Sequence, residues 1–392
     1  MEDTVILGMA RTPIGNFLGG LSSLSAVKLG VYAGKEALKR ASVLPEQIDE
    51  VTVGMVYKNG AKGNPARQIQ LALDIPYKSG AVTIEQQCSS GMRALEVACQ
   101  QIQLGKTRAA LVCGIESMSN VPYLSIDTRK GTRMGATVLE DGLLYDALID
   151  AFSDKHIAFT AERVAEQYHI TRQQQDEYSL LSQNRAQAAQ REGHFVQEIV
   201  PIEIKDRRGI HVIDKDEHPR DTTYEELSSL KPAFINPGGT VTAGNASALS
   251  DGACAAVVAS ASYAKELGIQ PLARICSTTS YGVDPAVMGI GPIYAVPEAI
   301  KQANLSMEDI SYYEINEAFA AQVLPCIHEL GISIDDINMN GSGIALGHPV
   351  GCTGLRIVTA TIYELKRRGK RYGCASLCAG GGPAMAVVIE VL

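Results

Sequence analysis

An α/β fold built from two similar halves is what this 392-residue sequence predicts. Three observations carry the prediction. Short apolar runs alternate with stretches of helical spacing, the pattern of strands linked by crossover helices in largely parallel sheets. A turn–helix–strand unit recurs near the two ends of the chain. And 37 glycines, no tryptophan and only 5% aromatic residues call for tight turns and close-packed elements filled by small and aliphatic side chains.

Taken in order, residues 4–8 (Thr-Val-Ile-Leu-Gly) read as a short buried strand, and residues 25–41 carry apolar positions at helical spacing. Residues 51–57 form a second strand, residues 68–73 belong to a helix, and residues 81–84 to a third strand. That strand ends at Glu85-Gln-Gln-Cys88, and a helix begins through Ser89, Ser90 and Gly91. From about residue 119 to 245 the texture becomes polar and loop-rich, with helical runs at 157–168 and 173–191, so this stretch reads as an insertion that leans over the core. An apolar strand follows at 253–260. The expected organisation is an N-terminal domain over 1–267, including the insertion, and a C-terminal domain over 268–392.

The repeat is specific. Cys88-Ser-Ser-Gly-Met-Arg, a helix, Gly105-Lys106 and Ala110-Leu-Val-Cys-Gly114 match Gly351-Cys-Thr-Gly-Leu-Arg, a helix, Gly369-Lys370 and Ser376-Leu-Cys-Ala-Gly380. Two such halves related by a pseudo-dyad would bring both glycine-rich turns to one centre, with Cys88 at one and His348 just before the other.

A net charge of -8 argues against general nucleic-acid binding. The one dense basic run, Lys366 to Arg371, reads as cations at a helix C-terminus. No run of eighteen apolar residues predicts a membrane span, and the acids at positions 2 and 3 stand where a secretory leader carries bases. Nine scattered cysteines without a Cys-x-x-Cys pair support neither a disulfide framework nor a metal site, so a reduced, cytoplasmic setting is expected.

Four elements carry candidate chemistry. Cys88 sits at a helix start, where unpaired N–H groups favour thiolate. The competing reading, a small buried hydrophobe, serves well for Cys99, Cys113, Cys254, Cys276 and Cys326. His348, between Gly347 and Pro349 on a permissive yet locked turn, has the placing of a base. Cys378, ahead of Gly380-Gly-Gly382, offers a second thiol and backbone N–H groups for an oxyanion. Asn316, in Glu314-Ile-Asn-Glu-Ala-Phe-Ala320, either orients a water or is an ordinary helix start.

With these residues in place the chain resembles the thiolase family of acyl-CoA C-acyltransferases. The resemblance rests on Cys88-Ser-Ser-Gly-Met, Gly114-Ile-Glu-Ser-Met-Ser-Asn120, Gly239-Thr-Val-Thr-Ala-Gly-Asn-Ala-Ser247, Asp284-Pro-Ala-Val-Met-Gly-Ile-Gly-Pro292, Asn316-Glu-Ala-Phe-Ala, Gly347-His-Pro and Cys378-Ala-Gly-Gly-Gly. It covers the chain from about residue 4 to the C-terminus. It implies the thiolase fold, two α/β halves in α-β-α-β-α layers with an inserted loop domain. It implies Cys88 as the acylated nucleophile, His348 as its base, and Cys378 as the acid and base for the second substrate. One oxyanion hole would combine His348 with a water on Asn316, and another the N–H groups of Cys88 and Gly380. Acyl-CoA and CoA are the implied substrates, with no metal or separate cofactor. Arg220 would meet the nucleotide end and Ser247 the pantetheine, while His156, Met288, Ala318 and Phe319 would line the acyl channel. Read without the resemblance, Arg220 is a surface charge and His156 a hydrogen-bonded core histidine. A homodimer or homotetramer is implied as well.

The expected activity is acetyl transfer between acetyl-CoA units in fatty-acid metabolism; a 3-ketoacyl-CoA thiolase of longer chain preference is the near alternative. A decarboxylating ketoacyl synthase or a non-catalytic carrier fits less well, because Cys88, His348, Cys378 and Asn316 are all present. Departures from the family pattern are Glu85-Gln-Gln before the nucleophile, His156-Ile-Ala for the short-chain His-Met-Gly, Gly341-Ser-Gly for a Gly-Gly pair, and Pro383 after the glycine triplet. They bear on acyl-chain preference and leave the chemical groups untouched.

Overall fold

Strand β1 (Thr4–Arg11) is buried along its whole length at the middle of the molecule. In this computed structural model, which describes residues 2–207 and 209–392, the first half continues as α1 (Ala26–Ala41), β2 (Glu50–Gly54), α2 (Pro65–Ala72), β3 (Gly80–Ile84), α3 (Ser90–Gln103) and β4 (Ala109–Ser117). The excursion after β4 contains α4 (Ala158–Gln167) and α5 (Arg172–Glu192), and the chain returns as β5 (Ser250–Ser260). The second half runs β6 (Ala273–Gly282), α6 (Gly291–Gln302), β7 (Tyr313–Ile315), α7 (Ala320–Glu329), α8 (Val350–Arg368), β8 (Tyr372–Cys378) and β9 (Pro383–Val391).

Local chemistry sets these elements. The Ser25 hydroxyl caps α1 by accepting the Lys28 N–H, and Ser42 closes it in the left-handed region. The buried stripe of α1 is Ala26, Leu29, Gly30, Ala33, Gly34, Ala37, Leu38 and Ala41. Small residues there bring the helix onto the sheet so closely that a Cβ on Gly8 would lie 2.5 Å from the Ala41 nitrogen. Fully burying Leu29 alone stabilises by roughly 1.5–3 kcal/mol. The basic run Lys366–Arg371 does close a helix: α8 ends at Arg368 with Lys366, Arg367 and Arg368 in its last turn and Gly369 as left-handed cap.

The sheet order is β7-β8-β9-β6-β1-β5-β4-β2-β3, with the short strand Gly15–Asn16 beside β5 as a tenth. The two halves meet where β1 pairs β6, and the order reads the same outward from that join. On one side β1–β5 and β5–β4 are antiparallel and β4–β2 parallel; on the other β6–β9 and β9–β8 are antiparallel and β8–β7 parallel. The sequence repeat therefore corresponds to a structural one. Helices α1 and α2 cover the first half outside, α3 and α8 lie between the halves, and α6 covers the second half outside.

The expectation of largely parallel sheets is corrected by this register: only β2–β3, β2–β4 and β7–β8 are parallel among the named strands. The reason is connection length. β8 reaches β9 through Ala379–Gly382, too short for anything but a hairpin, and Gly381 and Gly382 supply its positive φ. In the first half the 118–249 excursion stands where that hairpin stands, and β5 returns with the same antiparallel sense.

Buried Arg11 anchors the excursion, donating to Glu198 at 2.7 Å and to both oxygens of Asp216 at 2.7 and 2.9 Å. Removing one partner of such a buried set costs about 3–5 kcal/mol, because it strands the others. No helix among the described residues is long and apolar enough to cross a membrane.

Candidate active site

The candidate groups lie where strands end and the central helices begin. After β3 the chain turns sharply: Gln87 has φ of 49°, the Ser89 hydroxyl donates to the Gln86 carbonyl at 2.8 Å, and the Ser90 hydroxyl to the Gln87 carbonyl at 2.6 Å. A left-handed glutamine costs about 1–2 kcal/mol and persists only where surroundings force it. This elbow delivers Cys88 buried at the start of α3. The backbone N–H groups of Gly380 and of Cys88 itself favour its thiolate. Burial pushes the thiol up to about 11 despite those two donors. The N–H groups at the helix start favour thiolate as expected, but desolvation outweighs them.

Cys378 ends β8, almost fully buried, in an apolar cluster with Met288, Ala318, Phe319, Ala158 and Ala161. Burial raises its thiol well above the ordinary range, and charge on Cys88 raises it further.

Asn316 follows β7 and has no exposed surface; its N–H donates to the Ser376 carbonyl at 3.0 Å. Its amide oxygen and nitrogen are both buried without a protein partner. Gln175 and Gln190 each leave an amide oxygen in the same state, but Asn316 leaves both amide atoms so. A buried unpaired polar group costs about 1–3 kcal/mol, which makes Asn316 a candidate to hold a ligand or water. A Cβ on Gly343 would stand 2.8 Å from that amide oxygen. The neighbouring Glu317 is locked from all sides: Tyr178 and Ser182 of α5 donate at 2.9 and 2.7 Å, Asn338 at 3.1 Å and the Ile344 N–H at 3.2 Å.

His348 precedes α8. Gly347 has φ of 88°, and a Cβ there would meet the Ser250 hydroxyl at 2.4 Å and the His218 ring at 2.5 Å, so both conformation and space demand glycine. The His348 N–H donates to the Ser250 hydroxyl at 3.0 Å, and Ser250 is in turn paired with His218 Nε2 at 2.9 Å. Its ring Nδ1 lies 2.6 Å from the Thr353 hydroxyl, while Nε2 is buried without a protein partner. Burial, seconded by the charge of Arg356, pushes the imidazole down to about 3. The resting pair is thus neutral thiol and neutral imidazole. The two turns are brought together because α3 and α8 cross in backbone contact: a Cβ on Gly91 would meet the Gly351 carbonyl at 2.7 Å, and one on Gly354 the Met92 nitrogen at 2.5 Å.

The expected substrate residues divide. Met288, Ala318 and Phe319 share the Cys378 cluster. Ser247 donates its N–H to the Ala318 carbonyl at 2.9 Å, and Ala246 bridges Phe319. His156 stacks on Phe234 at 4.4 Å between ring centres and accepts the Ala158 N–H on Nδ1 at 3.1 Å. Arg220 is exposed, its backbone held by Gln183 and Gln187 of α5, and its charge reaches His218. A cleft of about 820 Å³ lined by Lys155, Phe159, Arg163 and His169 contains none of the eleven expected site residues.

Sequence reasoning missed Glu116. Fully buried at the end of β4, it accepts the N–H groups of Val56 and Gly351 at 3.0 Å each and of Tyr57 at 3.3 Å. It ties the first turn of α8 to the end of β2, and explains why that strand stops at Gly54 instead of running to residue 57. Burial raises its carboxyl to about 8. A lone acid inside an apolar strand was the available signal. Phe234, Ser250 and His218 left no such signal, because their roles depend on distant partners.

Residues 4–262 match the family model of the thiolase N-terminal domain, and residues 269–391 that of the thiolase C-terminal domain. An acetyl-CoA acetyltransferase of Cupriavidus necator is 45% identical over 392 residues, spanning the whole of both chains. One from Allochromatium vinosum is 44% identical over 391 residues and 99% of each chain. The solved structure of an acetyl-CoA acetyltransferase from Syntrophomonas wolfei superposes with a TM-score of 0.98 at 46% identity, all of both chains covered. Human mitochondrial 3-ketoacyl-CoA thiolase in complex with CoA superposes at 0.96 with 40% identity, over 100% of this chain and 98% of that one.

Proposed function

The chain belongs to the thiolase family of acyltransferases, and from that premise we propose that it is an acetyl-CoA C-acetyltransferase, joining two acetyl-CoA into acetoacetyl-CoA and CoA, reversibly and by a ping-pong route. One observation carries the reading. Two polar groups without protein partners among the described residues, His348 Nε2 and the Asn316 amide, occur beside the strand ends and helix starts that hold Cys88 and Cys378.

In the proposed first half-reaction Cys88 attacks the thioester carbonyl while its proton passes to His348 Nε2. The oxyanion is received by the N–H groups of Cys88 and Gly380, the two donors that favour the Cys88 thiolate. The departing CoA sulphur takes the Cys378 proton, leaving thiolate and imidazolium. In the second half that thiolate removes an α-proton from the next acetyl-CoA. The enolate oxygen is held by His348 Nε2–H and a water on Asn316. The carbanion attacks the Cys88 thioester, and the Cys88 sulphur leaves with the proton returned by His348. The charged pair exists only while substrate is bound, which suits a base held near 3 and thiols held high. The scheme uses CoA thioesters as substrates and draws on no cofactor. Met288, Ala318, Phe319 and His156 are proposed to line the acyl and pantetheine channel, with Ser247 at the pantetheine amide and Arg220 at the nucleotide.

The test is relative kcat/KM in thiolysis for acetoacetyl-CoA and longer 3-ketoacyl-CoA substrates. Acetoacetyl-CoA is expected to lead. A strong preference for the longer chains would instead support a degradative 3-ketoacyl-CoA thiolase, the reading favoured by Ile157, which packs on the Cys378 cluster where the short-chain pattern has methionine.

The pH dependence of the first half-reaction follows from the same geometry. A base that protonates only near pH 3 stays competent as pH falls, and a thiol near 11 stays protonated as pH rises. Acylation of Cys88 by acetyl-CoA, followed by rapid quench and mass spectrometry, should show no imidazole limb between about pH 5 and pH 8. A limb near the ordinary histidine value would contradict the buried neutral pair.

The proposed setting is cytoplasmic, in fatty-acid metabolism, as a homodimer or homotetramer. Exposed Tyr123, Ile126, Met134, Val138 and Leu139 on the excursion and Val82 on edge strand β3 support association, and sedimentation equilibrium reads its order.

A further inference from the structure

The imidazole of His348 has one side-chain partner among the described residues, and it is a hydroxyl. Histidine bases are usually oriented by a carboxylate or a carbonyl. Here, among the described residues, no acid side chain hydrogen-bonds to the ring, and the charge that acts on it is the cation of Arg356. Thr353 lies in the first turn of α8, with no exposed surface. Its hydroxyl donates to the Pro349 carbonyl at 3.0 Å, one turn back in the chain. A hydroxyl has a single proton. With that proton on Pro349, Thr353 can only accept from His348 Nδ1, 2.6 Å away.

We infer that Thr353 is a positioning residue for the proposed reaction: it accepts the Nδ1 proton of His348 and so leaves the Nε2 lone pair facing the reacting thiol. The inference rests on the reading of His348 as the base. The arrangement serves both states of the ring. Neutral imidazole with Nδ1–H presents a bare Nε2 to the Cys88 proton. Imidazolium still donates through Nδ1 to the same oxygen and presents Nε2–H to the enolate. A carboxylate in this place would hold the ring protonated between turnovers; a hydroxyl aligns it without doing so. The side chain is set by its own helix, because the threonine back-bond to residue i−4 fixes the rotamer. His348 and its aligning group therefore move together.

The test compares Thr353→Val, which keeps shape and removes the oxygen, with Thr353→Ser, which restores it. In the full-length enzyme the acylation rate constant with acetyl-CoA should fall roughly 10- to 100-fold for valine, the usual effect of losing a ligand-orienting hydrogen bond, with KM little changed. Serine should restore it to within about threefold. Selective ¹⁵N labelling of histidine, with His348→Asn to assign the signal, should show wild-type His348 protonated on Nδ1 at neutral pH and a tautomer mixture in the valine variant. Thr353→Val acylating within about twofold of wild type, or a wild-type ring protonated on Nε2, overturns the inference. Should the valine variant not fold, the wild-type spectrum and the serine rate still decide. Wild-type enzyme that never acylates Cys88 sinks the underlying reading of the site instead.

Discussion

Cys88→Ser is expected to form no acyl-enzyme, while Cys378→Ser still acylates Cys88 and then fails to condense. The first loss should exceed about 1000-fold in kcat. A serine hydroxyl is far less acidic than a thiol, and the base proposed for it is an imidazole already pushed down to about 3. Such an imidazole is too weak a base to take the proton of an alcohol. In Cys378→Ser the nucleophile, its base and both N–H donors remain, so acetyl transfer to Cys88 survives, slowed where the leaving sulphur needs a proton. The second half-reaction does not survive, because a buried serine cannot become the alkoxide that α-proton removal requires. Mass spectrometry of each variant after acetyl-CoA, without a second substrate, separates the cases. An acetyl group on residue 378 would reverse the assignment. Both changes are nearly isosteric, so loss of fold does not blur the result.

What the sequence made legible follows from which constraints leave a local mark. Gly91 and Gly354 matched in the repeat, and both prove to be places where another backbone comes within the reach of a Cβ; only one residue type answers that demand, so it shows. The His348 turn showed for the same reason at Gly347. Sheet direction did not show, because β5 and β9 are apolar runs whether they return parallel or antiparallel. Nor did the ionisation of Cys88. The helix start beside it is a local feature and pointed to thiolate, whereas the burial that overrides it comes from both halves. Glu116 and Thr353 act through groups that folding alone brings near. Glu116 holds Gly351 across 235 residues of chain, a pairing with no spacing to detect.

The α3–α8 crossing is where stability and chemistry meet, and Gly91→Ala is expected to lose both. In an exposed helix alanine would gain about 1 kcal/mol over glycine. Here its Cβ would sit 2.7 Å from the Gly351 carbonyl and 3.1 Å from the Leu355 nitrogen, and backbone cannot swing aside as a flexible side chain can. The helices must part, at a typical overpacking cost of about 1–3 kcal/mol or more, which cancels the propensity gain and leaves a net loss. Gly354→Ala approaches the same contact from the other helix, 2.5 Å from the Met92 nitrogen. The two substitutions should therefore be less than additive: once the helices have separated, the second Cβ finds space already made. Activity should fall further than stability does. Cys88 is carried at the start of α3 and His348 at the start of α8, and a shift of about 1 Å between reacting groups can cost 100-fold in rate. Thermal unfolding and the single-turnover acylation rate, measured on the same preparations, test this. Gly91→Ala with unchanged melting temperature and wild-type acylation would show that the crossing yields, and that the spacing of thiol and imidazole is set elsewhere.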